Sequence, residues 1–178
     1  MLKWWMAGAL VVAVVSVADA ADAGQPPSIA LQIRNDTRVP DDVVERARQE
    51  VTRIFADAGL PVQWTETAPR FIVTIQPQVL GYARADSPVM GVAQRSPAGS
   101  SVRVFLKQVQ DFARVHRIAL STMLAYVIAH ELGHLFLGTS HAPGGLMQAG
   151  WDKRLVREAA TGTLTFTGAQ AQRIRAVY

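Results

Sequence analysis

The chain has no cysteine. That absence excludes a disulfide scaffold, a thiolate metal site, a cysteine nucleophile and a lipoprotein anchored through an N-terminal cysteine. Aromatic residues are sparse, at 7%, and form no ladder between basic residues. Runs of Lys or Arg are also missing: 15 of the 18 basic residues are Arg, and they are scattered along the chain. A nucleic-acid binder concentrates basic charge on one face or stacks bases on aromatics. The net charge of +4 and the pI near 10.0 therefore read as solubilising surface charge, with no nucleic-acid partner expected. The 13 Gly and 9 Pro follow no period, which removes collagen-like and low-complexity readings. Hydrophobic residues at 49% against charged residues at 18% exclude intrinsic disorder as the main state. A length of 178 residues is enough for one domain with its own core.

The first twenty residues read as an address. Met1, Leu2 and Lys3 give a short positive start, an apolar stretch runs from Trp4 to Val17, and Ala18-Asp19-Ala20 places small residues where a signal peptidase cuts. Ala21-Asp22-Ala23 offers a second cut. The apolar stretch is short of the ~20 residues that span a bilayer, and no other segment reads as long enough to cross one. The expectation is cleavage and export, secreted or periplasmic, with no stable membrane insertion. A short linker, 21–28, then leads into one domain over 29–178, leaving no room for a pro-domain.

Within that domain, Ser28 to Arg34 alternates apolar and polar residues as a half-buried strand does. A helix follows. Asp42 and Glu45 are spaced as a capping box, Val43, Ala47, Val51, Ile54, Phe55 and Ala58 form its apolar stripe, and Gly59 and Pro61 end it. Strands are predicted at Val62–Trp64, Phe71–Ile75, Val89–Gln94 and Ser101–Leu106. A second helix, capped by Ser121 or Thr122, runs to about Leu137 and is apolar around most of its circumference, as a helix at the centre of a domain is. A short helix near Lys153–Ala159 and a last one from Thr167, with Gln170 completing a capping box, close the chain. Strand, helix, then several strands predicts an α+β domain with a mixed twisted sheet and helices on one side.

The buried helix carries the chemistry. Residues 130–141 read HELGHLFLGTSH. His130 and His134, four residues apart, project from one face about 40° apart and one turn displaced. Two imidazoles so placed can bind one metal ion. Glu131, on the adjacent flank, can take a proton from a metal-bound water without being a ligand. Bare imidazoles and a carboxylate inside an apolar helix are costly unless something satisfies them. Gly138 follows where the helix must break, and His141 lies just beyond the break. Glu158 and Asp152 are alternative, acidic third ligands, though each also reads as an ordinary helix-surface or helix-cap residue.

These residues resemble the metzincin zinc peptidases, whose HExxHxxGxxH motif precedes a tight turn with a methionine beneath the zinc. His141 is followed by Ala142-Pro143-Gly144-Gly145-Leu146-Met147, which is similar to the matrixin branch. Three residues, not two, separate His134 from Gly138, so either the helix runs one residue longer or the loop bulges. The resemblance implies a zincin-like fold with a small C-terminal lobe from about Ala142. It implies Zn2+ held by His130, His134 and His141, Glu131 as general base, and Met147 as the floor of the site. The implied activity is that of a monomeric metalloendopeptidase acting on an extended peptide or protein substrate laid along the strand Val89–Gln94. No tyrosine follows Met147 closely, so no tyrosine ligand is implied. The rival reading is a catalytically silent zinc-binding or interaction module of the same fold. Tyr126 and Trp64 read as core, Trp151 as core or pocket wall, and His116 as a surface or capping residue.

Overall fold

A computed structural model describes residues 27–78, 89–96 and 99–178. The expected signal segment, 1–20, and most of the linker after it lie outside the described residues. Five strands form one sheet: β1 (Ile29–Asn35), β2 (Val62–Trp64), β3 (Phe71–Gln76), β4 (Gly91–Ser96) and β5 (Gly99–Phe105). Their spatial order is β2-β1-β3-β5-β4. All neighbours are parallel except β4, which runs antiparallel to β5 and has no other strand beside it among the described residues. The sheet is thus mixed, as the order of elements in the sequence predicts.

Register lines up one side chain per strand on the face that helices cover. Ile33, Val73, Val102 and Ala93 make one such row, and Ile75, Val104 and Gly91 make the next. Ile29, Leu31, Val73, Ile75, Val102 and Val104 on this face are fully buried. Against it pack α1 (Asp41–Asp57), α2 (Leu106–His116) and α3 (Leu120–Leu137), with α4 (Lys153–Ala160) and α5 (Gly168–Val177) completing the cover. α1 presents Val44, Ala47, Val51, Ile54 and Phe55 inward, one residue off the expected stripe at Val43. Gly59, at φ +77°, ends α1 in the left-handed conformation that glycine adopts without strain.

α3 is the hub. It packs against α1, α2, α4, α5, β4 and β5, and its residues 123–133 are all buried. By length and composition α3 could cross a membrane, contrary to the expectation that only the N-terminal stretch approached that. Its apolar surface is instead covered by the rest of the fold. Tyr126, fully buried in its middle, packs edge-on against Trp151 and lies 3.3 Å from the Arg53 guanidinium of α1. Arg53 in turn pairs with Glu50 and Asp57, each at 2.7 Å.

The helix starts need correction. Asp42 and Glu45 form no capping box: α1 begins after Pro40 with no side-chain cap, and Asp42 pairs with Arg46 instead. Neither Ser121 nor Thr122 caps α3, whose N-cap position falls earlier, at Ala119. The box at the last helix is present, with Thr167 accepting from the Gln170 N–H and the Gln170 side chain accepting from the Thr167 N–H. α2 was not predicted. β5 passes straight into it at Phe105, without a polar cap, so the strand pattern hides the start of the helix.

Phe55 touches Phe136 and Phe166 edge-to-face, with centroids 6.1 and 5.3 Å away, and ties α1 to α3 and to the segment before α5. Phe55→Ala is expected to cost about 3–5 kcal/mol, measured by urea denaturation.

Candidate metal centre and cleft

The last two turns of α3 set the site. α3 runs through Leu137, and Gly138 breaks it at φ +91°, with its N–H bonded to the His134 carbonyl at 3.1 Å. The extra residue between His134 and Gly138 is therefore absorbed by a longer helix. The chain then turns back, and His141 reaches the two helical histidines. Its ring stacks on His130 at 5.3 Å and meets His134 edge-on at 4.9 Å. The candidate ligand atoms of the three rings all lie within 4.8 Å of one another.

Backbone carbonyls fix the two helical rings. Nδ1 of His130 is 2.8 Å from the Leu146 carbonyl, and Nδ1 of His134 is 2.8 Å from the Gly138 carbonyl. A carbonyl only accepts, so each Nδ1 carries the proton and donates. That leaves Nε2 of each ring facing the site, and the two Nε2 atoms are 3.2 Å apart. Burial pushes the His130 pKa down to about 4, which disfavours the charged form of that ring. Burial, then the charge of His134, also lowers His141. A divalent cation fits this donor set: two nitrogens bound tetrahedrally at about 2.05 Å are separated by about 3.3 Å.

The turn after His141 braces the centre from below. Ala142 N–H donates to the Met147 carbonyl at 2.9 Å, and Gln148 N–H donates to the Gly145 carbonyl at 3.1 Å. Gly145 sits at φ +70°, where a Cβ would come within 2.7 Å of the Thr167 methyl. The turn delivers the Leu146 carbonyl to His130 and buries Met147 beneath Gly133. A Cβ on Gly133 would lie 2.4 Å from Met147 Sδ and 3.0 Å from the Phe166 ring. That contact places Met147 under the helical segment bearing both histidines.

Glu131 faces the other way, toward β4. It is buried, and burial raises its pKa to about 7 against the opposing pull of the Ala93 N–H. Space for it comes from Gly91, where a Cβ would stand 2.7 Å from Glu131 Cγ and 3.0 Å from a Val127 methyl. The Phe105 N–H donates to the Met90 carbonyl at 2.8 Å, so Met90, Val92 and Gln94 bond to β5. In an antiparallel ladder the alternate residues then turn their N–H and C=O outward. Gly91, Ala93 and Arg95 thus offer backbone groups on the open edge. Between this edge, α3 and the turn after Met147 runs a cleft of about 780 Å³ that contains all three histidines and Glu131. Its end beside the N-terminal half of α3 is apolar, walled by Val127, Phe112 and Trp151.

The structure brings His130, His134, His141, Glu131 and Met147 together and leaves the acidic alternatives out. Asp152 caps α4, accepting from the Arg154 and Leu155 N–H groups at 2.9 Å each. Glu158 pairs with Arg154 at 2.7 Å. Trp151 is a pocket wall, Trp64 on β2 donates to Thr52 at 3.0 Å, and His116 stacks on Phe112 at 4.1 Å. Sequence reasoning missed Gly91, Arg95 and Phe112. A glycine opening an edge strand signals close backbone approach. The spacing of Leu106, Val109 and Ala113 was the available sign of α2, which carries Phe112.

No protein-family model matches the chain, and no curated protein does. Solved structures do. The crystal structure of archaemetzincin from Methanopyrus kandleri matches with a TM-score of 0.59 and 15% sequence identity, over 86% of this chain and 97% of that one. The fold is zincin-like. The mixed five-stranded sheet and its covering helices match that fold, and the three histidines on and after α3 could hold a metal ion.

Gly133→Ala tests the packing under this zincin-like site. Alanine favours a helix over glycine by about 1 kcal/mol. Overpacking against Met147 and Phe166 is nevertheless expected to leave the variant about 1–3 kcal/mol less stable, by urea denaturation.

Proposed function

We propose that the chain is an exported zinc-dependent endopeptidase of metzincin type, nearest the matrixin branch. One observation carries this reading: Nε2 of two helical imidazoles and a third imidazole converge in a cleft, with a buried carboxylate beside them. In this reading His130, His134 and His141 hold Zn2+, Met147 forms the methionine turn, and the protein acts as a monomer after its signal segment is removed. Bound zinc supplies a Lewis acid that polarises the scissile carbonyl and acidifies a water.

The chain's own groups do the rest. An extended substrate adds to the outer edge of β4, pairing with the backbone of Gly91 and the carbonyl of Ala93. Glu131, made more basic by burial, accepts the attacking water's proton on its carboxylate and passes it to the leaving amine nitrogen. The Ala93 N–H holds that carboxylate at the strand edge. The apolar end at Phe112, Val127 and Trp151 takes one substrate side chain and keeps water from it.

Two experiments test the reading. The zinc-loaded protein is expected to cut a diverse peptide library, read by mass spectrometry, and Glu131→Ala to lower kcat/KM at least about 10²-fold. Zinc bound in both proteins with no cuts in either would leave the silent binding module. Zinc in about 1,000-fold excess over its Kd should stabilise the protein by about 4 kcal/mol, seen as a raised Tm. His141→Ala should remove most of that gain, and an unchanged Tm shift with unchanged activity would sink the third-ligand assignment.

A further inference from the structure

Arg95 stands on the face of β4 that covers α3, in register with Ser100 and, through it, Phe71. It lines the cleft, as His134, Gly138 and Thr139 do, and is exposed. Its Nη2 donates to the Leu135 carbonyl, one of the carbonyls that a helix end leaves without a partner inside the helix. That bond uses one of five guanidinium donors. Arg173 serves the same helix end, donating to the Leu137 carbonyl at 3.1 Å.

Arg46, Arg48, Arg53, Arg114 and Arg154 each have a carboxylate partner. Among the described residues Arg95 has none. The cleft is therefore polarised along its length. One end is apolar at Phe112, Val127 and Trp151, and the other holds a tethered guanidinium with donors to spare.

The geometry points to Arg95 as a specificity-determining residue that binds a carboxylate of the bound peptide. This rests on the peptide-cleft reading above. A guanidinium held by a backbone carbonyl has already lost much of its side-chain freedom, and its planar fork matches a carboxylate better than any other side chain does. Arg95 is two residues beyond Ala93, about 7 Å along the strand, so the acidic residue falls two or three positions from the cut bond. The carboxylate comes from an Asp or Glu side chain, or from the chain terminus itself.

The test uses the full mature protein and two matched peptide libraries, one C-terminally amidated and one with free C-termini. Cleavage is read by mass spectrometry. Binding is read by fluorescence anisotropy in a Glu131→Gln background, with a Glu-containing peptide and its Gln counterpart. The expected result is enrichment of Asp or Glu at one position of the cut peptides. The Glu peptide should bind about tenfold more tightly than the Gln peptide. Arg95→Gln should abolish both preferences. Arg95→Lys, which keeps the charge at the helix end but not the fork, should keep only part of them, and an unchanged Tm shows that it is folded. A preference confined to free C-termini assigns the carboxylate to the chain terminus. Cuts without acidic preference overturn the role of Arg95 and leave the peptidase standing. Acidic preference in binding without cuts sinks the peptidase and leaves the carboxylate site. Neither preference nor cuts sinks both.

Discussion

Two backbone carbonyls govern the centre of this protein. By accepting the Nδ1 protons of His130 and His134, the Leu146 and Gly138 carbonyls leave Nε2 of both rings facing the site. Both carbonyls exist where they do because the chain leaves α3 abruptly. Gly138 exposes its own carbonyl by abandoning the helix at positive φ, and the turn ending at Met147 carries Leu146 back under His130. Burial disfavours a charged His130, and a metal ion would satisfy the arrangement. The rest of the fold packs around α3, which holds the two rings in place.

Glycine does the complementary work of removing side chains. Gly133 lets Met147 press against the helix between the histidines, and Gly91 lets the edge strand close on Glu131. Those two contacts set the height of the floor and of one wall. Glu131 is consequently shielded from bulk water yet within reach of a strand-edge N–H, an environment that raises its basicity while keeping one donor aimed at it.

The parts of this design that were legible in the sequence are the parts that are local. His130, Glu131, His134, Gly138 and His141 lie within twelve residues, and helical geometry alone brings the first three to neighbouring faces. The Thr167–Gln170 box was also readable from spacing, and the edge strand, expected at Val89–Gln94 from the flanking turns and the family resemblance, lies two residues on at Gly91–Ser96. What was hidden depends on pairings far apart in the chain. Gly91 meets Glu131, and Arg95 meets Leu135, only because β4 lies next to β5 in one particular register. α2 was hidden for another reason: strand and helix share the apolar run through Phe105 and Leu106, and no polar residue marks the change of period. The caps expected at Asp42 and Ser121 failed because both helices are held by packing, which outweighs a missing cap.

The open side of β4 also bears on how the molecule stays apart from its own copies. A strand edge with free amides and carbonyls is a template for pairing with any other extended chain, including the edge of a second molecule. Here the exposed half of the strand carries Gln94 and Arg95, and the arginine sits on the inward face, where a neighbour's apolar residue would have to lie. The other margin of the sheet, β2, is only three residues long. A brief peptide can dock in the cleft, whereas a long, flat partner strand meets the exposed positive charge of Arg95. The edge is thereby open to short extended chains and closed to the stacking that leads to fibrils.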